Sequence, residues 1–199
     1  MVTRPKHILS TLKFDKIRLE SNRSFDPNDA KWMHFAIASS YFWRKHDDMV
    51  GTSATPNKTI DYIEYIINED LQKKFDATKA EFKRKGISAD QIMAFHATKP
   101  EHVDSIIRSN LDHRKFPMKN GRVHGEGNYF SEYPAFSLKY GHGLILFDIL
   151  PGREYSGRSQ PIPSGFESKK IGTNAEGYGQ QLVIANNEQF VPRYVIHLK

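Results

Sequence analysis

The stretch Ile92–Ile107, IMAFHATKPEHVDSII, decides how the rest of this chain is read. Its first part, Ile92 to Ala97, has the length and apolar character of a short buried strand. Thr98-Lys99-Pro100-Glu101 then fits a capping box, with threonine at the N-cap and glutamate at N3. Val103, Ile106 and Ile107 follow at helical spacing up to about Asn110. A strand therefore passes straight into a helix, and His96 sits at the strand's exit. A histidine there is either a hydrogen-bonded core residue or an imidazole facing a ligand at a strand end.

Upstream, Thr59 to Ile67 (TIDYIEYII) reads as a strand, and Asn68 caps the helix NEDLQKKFDATKAEFKRKG. Leu71, Phe75 and Phe82 form its apolar face, and Gly86 stops it. Lys83, Arg84 and Lys85 lie where basic residues favour the helix dipole. Farther back, Asp26-Pro27-Asn28-Asp29 signals another helix start. Trp32, Phe35, Ala36, Ser39 and Trp43 recur at helical spacing behind it and are expected to pack in the core. Residues 51–57 are a loop by composition, and residues 1–25 are basic and weakly patterned.

Downstream, LDHRKFPMKNGRVHGEG is too polar for core and too long for a turn, the profile of a binding loop. Gly125-Glu126-Gly127-Asn128-Tyr129-Phe130 leads into a strand, and Ala135 to Tyr140 reads as a short helix ended by Gly141. Leu144–Leu150 is a buried strand with a turn at Pro151-Gly152. Residues 156–179 read as a second long loop; Leu182–Ala185 and Arg193–Leu198 are the last strands, joined by Asn186 to Gln189. The sum is one α+β domain over residues 1–199: a basic, helical part at 1–50 and a core at 55–199.

Of 199 residues, 38% are hydrophobic and 12% aromatic, enough for a core. The chain has no cysteine, which excludes disulfides, thiolate nucleophiles and cysteine zinc sites. Other histidines, such as His102, His113, His124 and His142, lack metal-ligand spacing, so no metal is expected. No run of 18 apolar residues exists and the N-terminal stretch lacks a secretory apolar segment. The expected location is intracellular, cytoplasm or nucleus. The net charge of +6 leaves room for a polyanionic partner.

FHAT, then GEGNYF with SLKY behind it, then QLVIANNEQFVPRYVIHL, together resemble the catalytic domain of the poly(ADP-ribose) polymerase (PARP) family. That family shows a His-Gly-Ser/Thr motif, a Gly-x-Gly-x-Tyr-Phe motif, a following Ser-x-x-Tyr and a closing strand pair. TIDYIEYIINEDLQKKF also resembles its upstream segment. No single motif is specific; singly, each residue is more often structural, and only the ordered set over residues 55–199 carries the resemblance.

The resemblance implies an ADP-ribosyltransferase fold, a split mixed β-sheet with flanking helices that holds NAD in a cleft. It implies that His96 holds the adenine-side ribose and that the Ala97 backbone holds the nicotinamide amide. Ser137 would add a hydroxyl to that amide, with Tyr140 stacked on the ring and Tyr129 on its other face. Thr98 and Phe130 complete the NAD-contacting motif positions. Residues 112–125 would form a donor loop with Arg114 on the diphosphate or adenosine. Residues 156–179 would shape the acceptor side, with Phe166-Glu167-Ser168 as a family element.

Two positions depart from the family pattern. Ala97 replaces the glycine, which main-chain contacts tolerate if its φ is negative. Gln181 stands where the family has its catalytic glutamate. Glutamine can hydrogen-bond a ribose hydroxyl but supplies no charge and accepts no proton. The catalytic set implied is His96, Tyr129 and Gln181. Glu126 and Glu132 are loop carboxylates that could approach the cleft instead. The expected function is NAD-dependent mono-ADP-ribosyl transfer to a protein, or to a nucleic-acid end, without a metal. The alternative is a catalytically inactive NAD- or partner-binding module. A third reading, an NAD-dependent RNA 2′-phosphotransferase, ranks lowest because tyrosine stands where that pattern has histidine.

Overall fold

The structure is a computed structural model, and it describes residues 12–20, 26, 28–47, 58–115, 124–157, 161–172 and 181–199. The strand centred on Leu146 organises it. GLILFDI forms β5 (Gly143–Ile149), buried along its whole length. Its side chains alternate between two cores: Leu144 and Leu146 pack on one face, Ile145, Phe147 and Ile149 on the other. A strand buried on both faces takes apolar residues at nearly every position, which is why the run reads as continuous rather than alternating. The exception, Asp148, is buried against the Arg193 guanidinium.

Around it lie β1 (Phe14–Leu19), β2 (Ile60–Asn68), β3 (Ile92–Thr98), β4 (Asn128–Ser131), β6 (Glu154–Tyr155), β7 (Ser168–Ile171), β8 (Gln181–Ile184) and β9 (Phe190–Leu198). Among the described residues they make one sheet in the order β1-β2-β9-β5-β3-β4-β8-β7-β6. Only β6 and β7 pair in parallel, so the sheet is mixed. β3 and β4 meet at a single residue pair, Phe95–Ser131. With the helices α1 (Ala30–Asp47), α2 (Glu69–Arg84), α3 (Pro100–Ser109) and α4 (Pro134–Ser137), the architecture is mixed α/β.

α2 begins as expected: the Asn68 side chain accepts from the Leu71 amide at 3.1 Å. Its Nδ2 also donates to the Ile107 and Arg108 carbonyls at 3.0 Å, so one side chain joins the start of α2 to the end of α3. Gly86 follows α2 at φ +68°, the left-handed geometry glycine adopts freely. β9 carries Pro192, which cannot donate to a ladder. It lies beyond the last pair with β2, and against β5 the register shifts beside it.

Several expectations are corrected. α3 is capped by Lys99, without a side-chain cap bond, and not by Thr98, which remains in β3. The strand extends one residue farther because Thr98 still pairs with Gly143. α1 begins at Ala30, and its buried face is His34, Ala38 and Phe42 rather than the stripe of two tryptophans; Trp43 is exposed. α4 ends at Ser137, and Leu138 to Tyr140 form a turn. The segment 156–179 is not all loop, because it contains β7. Residues 12–19, read as weakly patterned, supply the edge strand β1. The expected loop at 51–57, and residues 116–123 and 173–180 of the two long loops, lie outside the described residues.

Candidate functional site

The single Phe95–Ser131 pair is where the site starts. Beyond it β3 stays paired with β5 through Thr98, while β4 pairs with β8. Next to this junction is a cavity of about 350 Å³. His96, Ala97 and Thr98 line it from the end of β3. Tyr129 and Phe130 line it from β4, and Ser137, Tyr140 and Gln181 complete the wall. Eight of the residues singled out from the sequence therefore meet in one place. Their separation in the chain, from 96 to 181, is bridged by the sheet.

Each side chain is held by an identifiable contact. His96 Nδ1 lies 2.9 Å from the Tyr129 carbonyl. A carbonyl only accepts, so Nδ1 carries the proton and Nε2 is an acceptor. Burial pushes the imidazole's pKa below its ordinary value, opposed by that hydrogen bond. A neutral histidine with Nε2 as acceptor can accept a hydrogen bond from a hydroxyl group. The rings of Phe130 and Phe147 meet its edges and fix its plane.

Tyr129 is tied at its hydroxyl, which donates to the Gly125 carbonyl at 2.6 Å and accepts from the His124 amide at 3.2 Å. The turn between them needs Gly127, at φ +152°; a Cβ there would meet Val183 Cγ1 at 2.6 Å. Ser137 is buried and its hydroxyl donates to the Phe95 carbonyl at 3.1 Å. Tyr140 is 58% exposed, with Phe136 behind it at 5.7 Å between ring centres. An exposed ring with a supported back is available for stacking. Gly141 makes this placement feasible, because a Cβ there would collide with the Thr98 carbonyl.

Ala97 has a negative φ, since Asn110 is the only non-glycine with a positive one among the described residues. The condition for alanine to replace glycine is met. Gln181 pairs with Ser131 on β4 and Ile171 on β7, half-buried at the cavity wall. No carboxylate lines this cavity among the described residues, and neither Glu126 nor Glu132 does so.

Arg114 is placed elsewhere. It lines a neighbouring depression, and its guanidinium holds Asp112 through Nε at 2.8 Å and Nη2 at 3.0 Å. This pairing keeps the Asp112 carboxyl well below its usual range. Glu167 of the acceptor-side element is likewise engaged, by Arg153 at 2.7 Å. Ser168 opens β7, its hydroxyl buried without a hydrogen-bond partner.

Lys99, His102 and His113 also line the cavity and were not singled out from the sequence. His102 follows Lys99 by one helical turn, a spacing that shares a face and was readable. His113 lies on an irregular segment, where spacing carries no such information. Together these groups give the cavity a basic side suited to phosphate. Among the described residues no cluster of three or more metal-ligating side chains occurs, and no helix is long and apolar enough to cross a membrane.

The family model described as "Poly(ADP-ribose) polymerase catalytic domain" matches residues 35–144, more than half of the chain. That span includes β3, β4 and the Ser137–Tyr140 turn, and stops short of Gln181. A curated relative, the putative poly(ADP-ribose) polymerase-like protein 100L of Invertebrate iridescent virus 6, is 25% identical over 168 residues. The alignment covers 68% of this chain and 93% of that protein. The chain belongs to the poly(ADP-ribose) polymerase catalytic domain family.

Proposed function

We propose that this domain transfers a single ADP-ribose unit from NAD to an acceptor side chain of a protein, releasing nicotinamide. The observation that carries the reading is the cavity wall: an exposed tyrosine, a second tyrosine, a buried serine and a neutral histidine, with Gln181 and, among the described residues, no carboxylate. We read the single-pair β3–β4 junction as the place where the sheet splits to admit the dinucleotide.

In this reading the nicotinamide ring lies between Tyr129 and Tyr140, with its amide at Ala97 and Ser137. His96 accepts a hydrogen bond from the adenine-side ribose. The glycosidic bond to nicotinamide breaks and its electron pair leaves with the ring nitrogen. The acceptor atom's lone pair then forms the new bond at the anomeric carbon, and the proton of the acceptor atom passes to solvent. Positioning and exclusion of water supply most of the acceleration. Gln181 can orient a ribose hydroxyl by hydrogen bonding but cannot deprotonate it for a second addition, so chains are not built.

The same absence favours one other reading, a module that binds NAD or a partner without turnover. Purified protein incubated with labelled NAD, together with protein and single-stranded nucleic-acid acceptors, separates the two. Label of single-unit size on protein, absent with His96→Ala, supports transfer; label on nucleic acid moves the acceptor class. No label, with NAD still raising the melting temperature, supports the module. Neither label nor stabilisation ends both readings.

A further inference from the structure

Lys169 is the one lysine among the largest fully buried side chains, at 1% exposure. Taking an ammonium group out of water is costly, and a methionine of similar length would fill the same space without that cost. The amine's contact shows what it does there. Nζ donates to the His124 carbonyl at 3.0 Å. His124 begins the turn whose amide donates to the Tyr129 hydroxyl, and that hydroxyl donates on to the Gly125 carbonyl.

The sheet makes this connection. Lys169 on β7 pairs with Val183 on β8, and Val183 pairs with Tyr129 on β4, so the three share one face. Gly127 presses the turn onto Val183, between lysine and tyrosine. The turn is thus held at two points, by the lysine at the His124 carbonyl and by the phenol at the His124 amide. The Tyr129 carbonyl in turn sets the His96 ring.

We infer that Lys169 is a positioning residue for the nicotinamide end of the cleft, acting through the His124–Gly127 turn on Tyr129 and His96. This rests on the nicotinamide reading of the cavity given above. A simple strut would alter stability alone; a positioning residue alters affinity in the folded protein and is coupled to Tyr129.

The test is calorimetric titration of nicotinamide into wild type, Lys169→Met, Tyr129→Phe and the double variant, with melting midpoints measured alongside. Loss of a hydrogen bond to a charged group predicts about tenfold weaker nicotinamide for Lys169→Met. The double variant is expected to be no weaker than the weaker single variant. Lys169→Gln keeps an N–H donor with shorter reach and is expected to lose about threefold. If the methionine variant does not fold, that glutamine variant decides: wild-type affinity overturns the inference. Unchanged affinity in folded Lys169→Met, or strictly additive losses in the double variant, also overturns it. In those cases wild type still binds nicotinamide and the proposed function stands. If wild type itself binds none, the reading of the cavity falls and this inference with it.

Discussion

β3 has a histidine–tyrosine pair near each end, and the two differ in what surrounds them. At the Met93 end, His34 Nδ1 lies 2.7 Å from the Tyr194 hydroxyl and its ring packs on Tyr65 at 4.1 Å. Beside them Arg193 Nε donates to Asp148 at 2.9 Å and Nη2 to Gln72 at 2.6 Å. This smaller cavity, about 250 Å³, has two carboxylates in its lining, Asp76 and Asp148. At the other end His96 and Tyr129 border a cavity with a lysine, three imidazoles and, among the described residues, no carboxylate. One end neutralises its charge internally, as buried charges must for stability. At the other the His96 ring is neutral and tied to the Tyr129 carbonyl, while Lys99, His102 and His113 line the wall, a lining that suits an anionic ligand. The residue types are alike; the counter-charge separates architecture from site.

The strongest way to break this comparison is at the closed end. Asp148→Ala leaves a buried guanidinium without its carboxylate and should cost about 3–5 kcal/mol, read by denaturant unfolding. Losing less than about 1 kcal/mol would mean the pair is not structural. At the open end, His96→Asn should weaken NAD at least tenfold, by about the worth of a hydrogen bond, while lowering stability far less than Asp148→Ala.

The pH dependence sharpens the contrast. Burial lowers the folded pKa of His96 below its unfolded value of about 6.5. The unfolded chain therefore binds the proton first as pH falls. This contribution to stability is intact above about 6.5 and is lost as pH drops toward the folded pKa. Stability of wild type should decline across that window, and His96→Asn should show a shallower decline in the same melts.

Smaller effects follow at the edges of the site. Gln181→Glu restores a carboxylate at the wall; we expect more nicotinamide release and products longer than one unit, at a change in stability within about 1 kcal/mol. Single-unit product with an unchanged rate would show that position 181 does not reach the reacting ribose. Arg114→Ala should change NAD affinity by less than about twofold, since an exposed arginine paired with its own neighbour adds little. A tenfold loss would place the diphosphate in the depression beside α2.

Much of the site was readable because its residues fall in ordered motifs on strands that carry their own signals. His96, Ser137 and Tyr140 lie within a few residues of strong punctuation: the Pro100 helix start and Gly141. The misses have a common cause. β7 is SKKI, polar in sequence, because its buried position is filled by a lysine whose amine finds a carbonyl 45 residues away. β1 does alternate, with Ile17 between Lys16 and Arg18 and Leu19 between Arg18 and Glu20, but a short edge strand is masked by its charge. The α1 stripe was misplaced because helical spacing fits more than one face of an aromatic-rich helix, and the face the fold buries deepest is His34, Ala38 and Phe42.

The sequence alone determined that β5 is a buried strand, that Asn68 caps α2, and that His96 leaves a strand at the head of an ordered motif set. These depend on neighbours in the chain, whose geometry local covalent structure and hydrophobic period control. Tertiary structure decided that the cavity has no carboxylate among the described residues, that Arg114 turns to Asp112, and that Lys169 reaches the His124 turn. The Arg114–Asp112 pair is local, two residues apart, but no spacing rule on an irregular segment announces it. The other two depend on strand register and on partners remote in sequence, and no local pattern encodes a register set by the whole sheet.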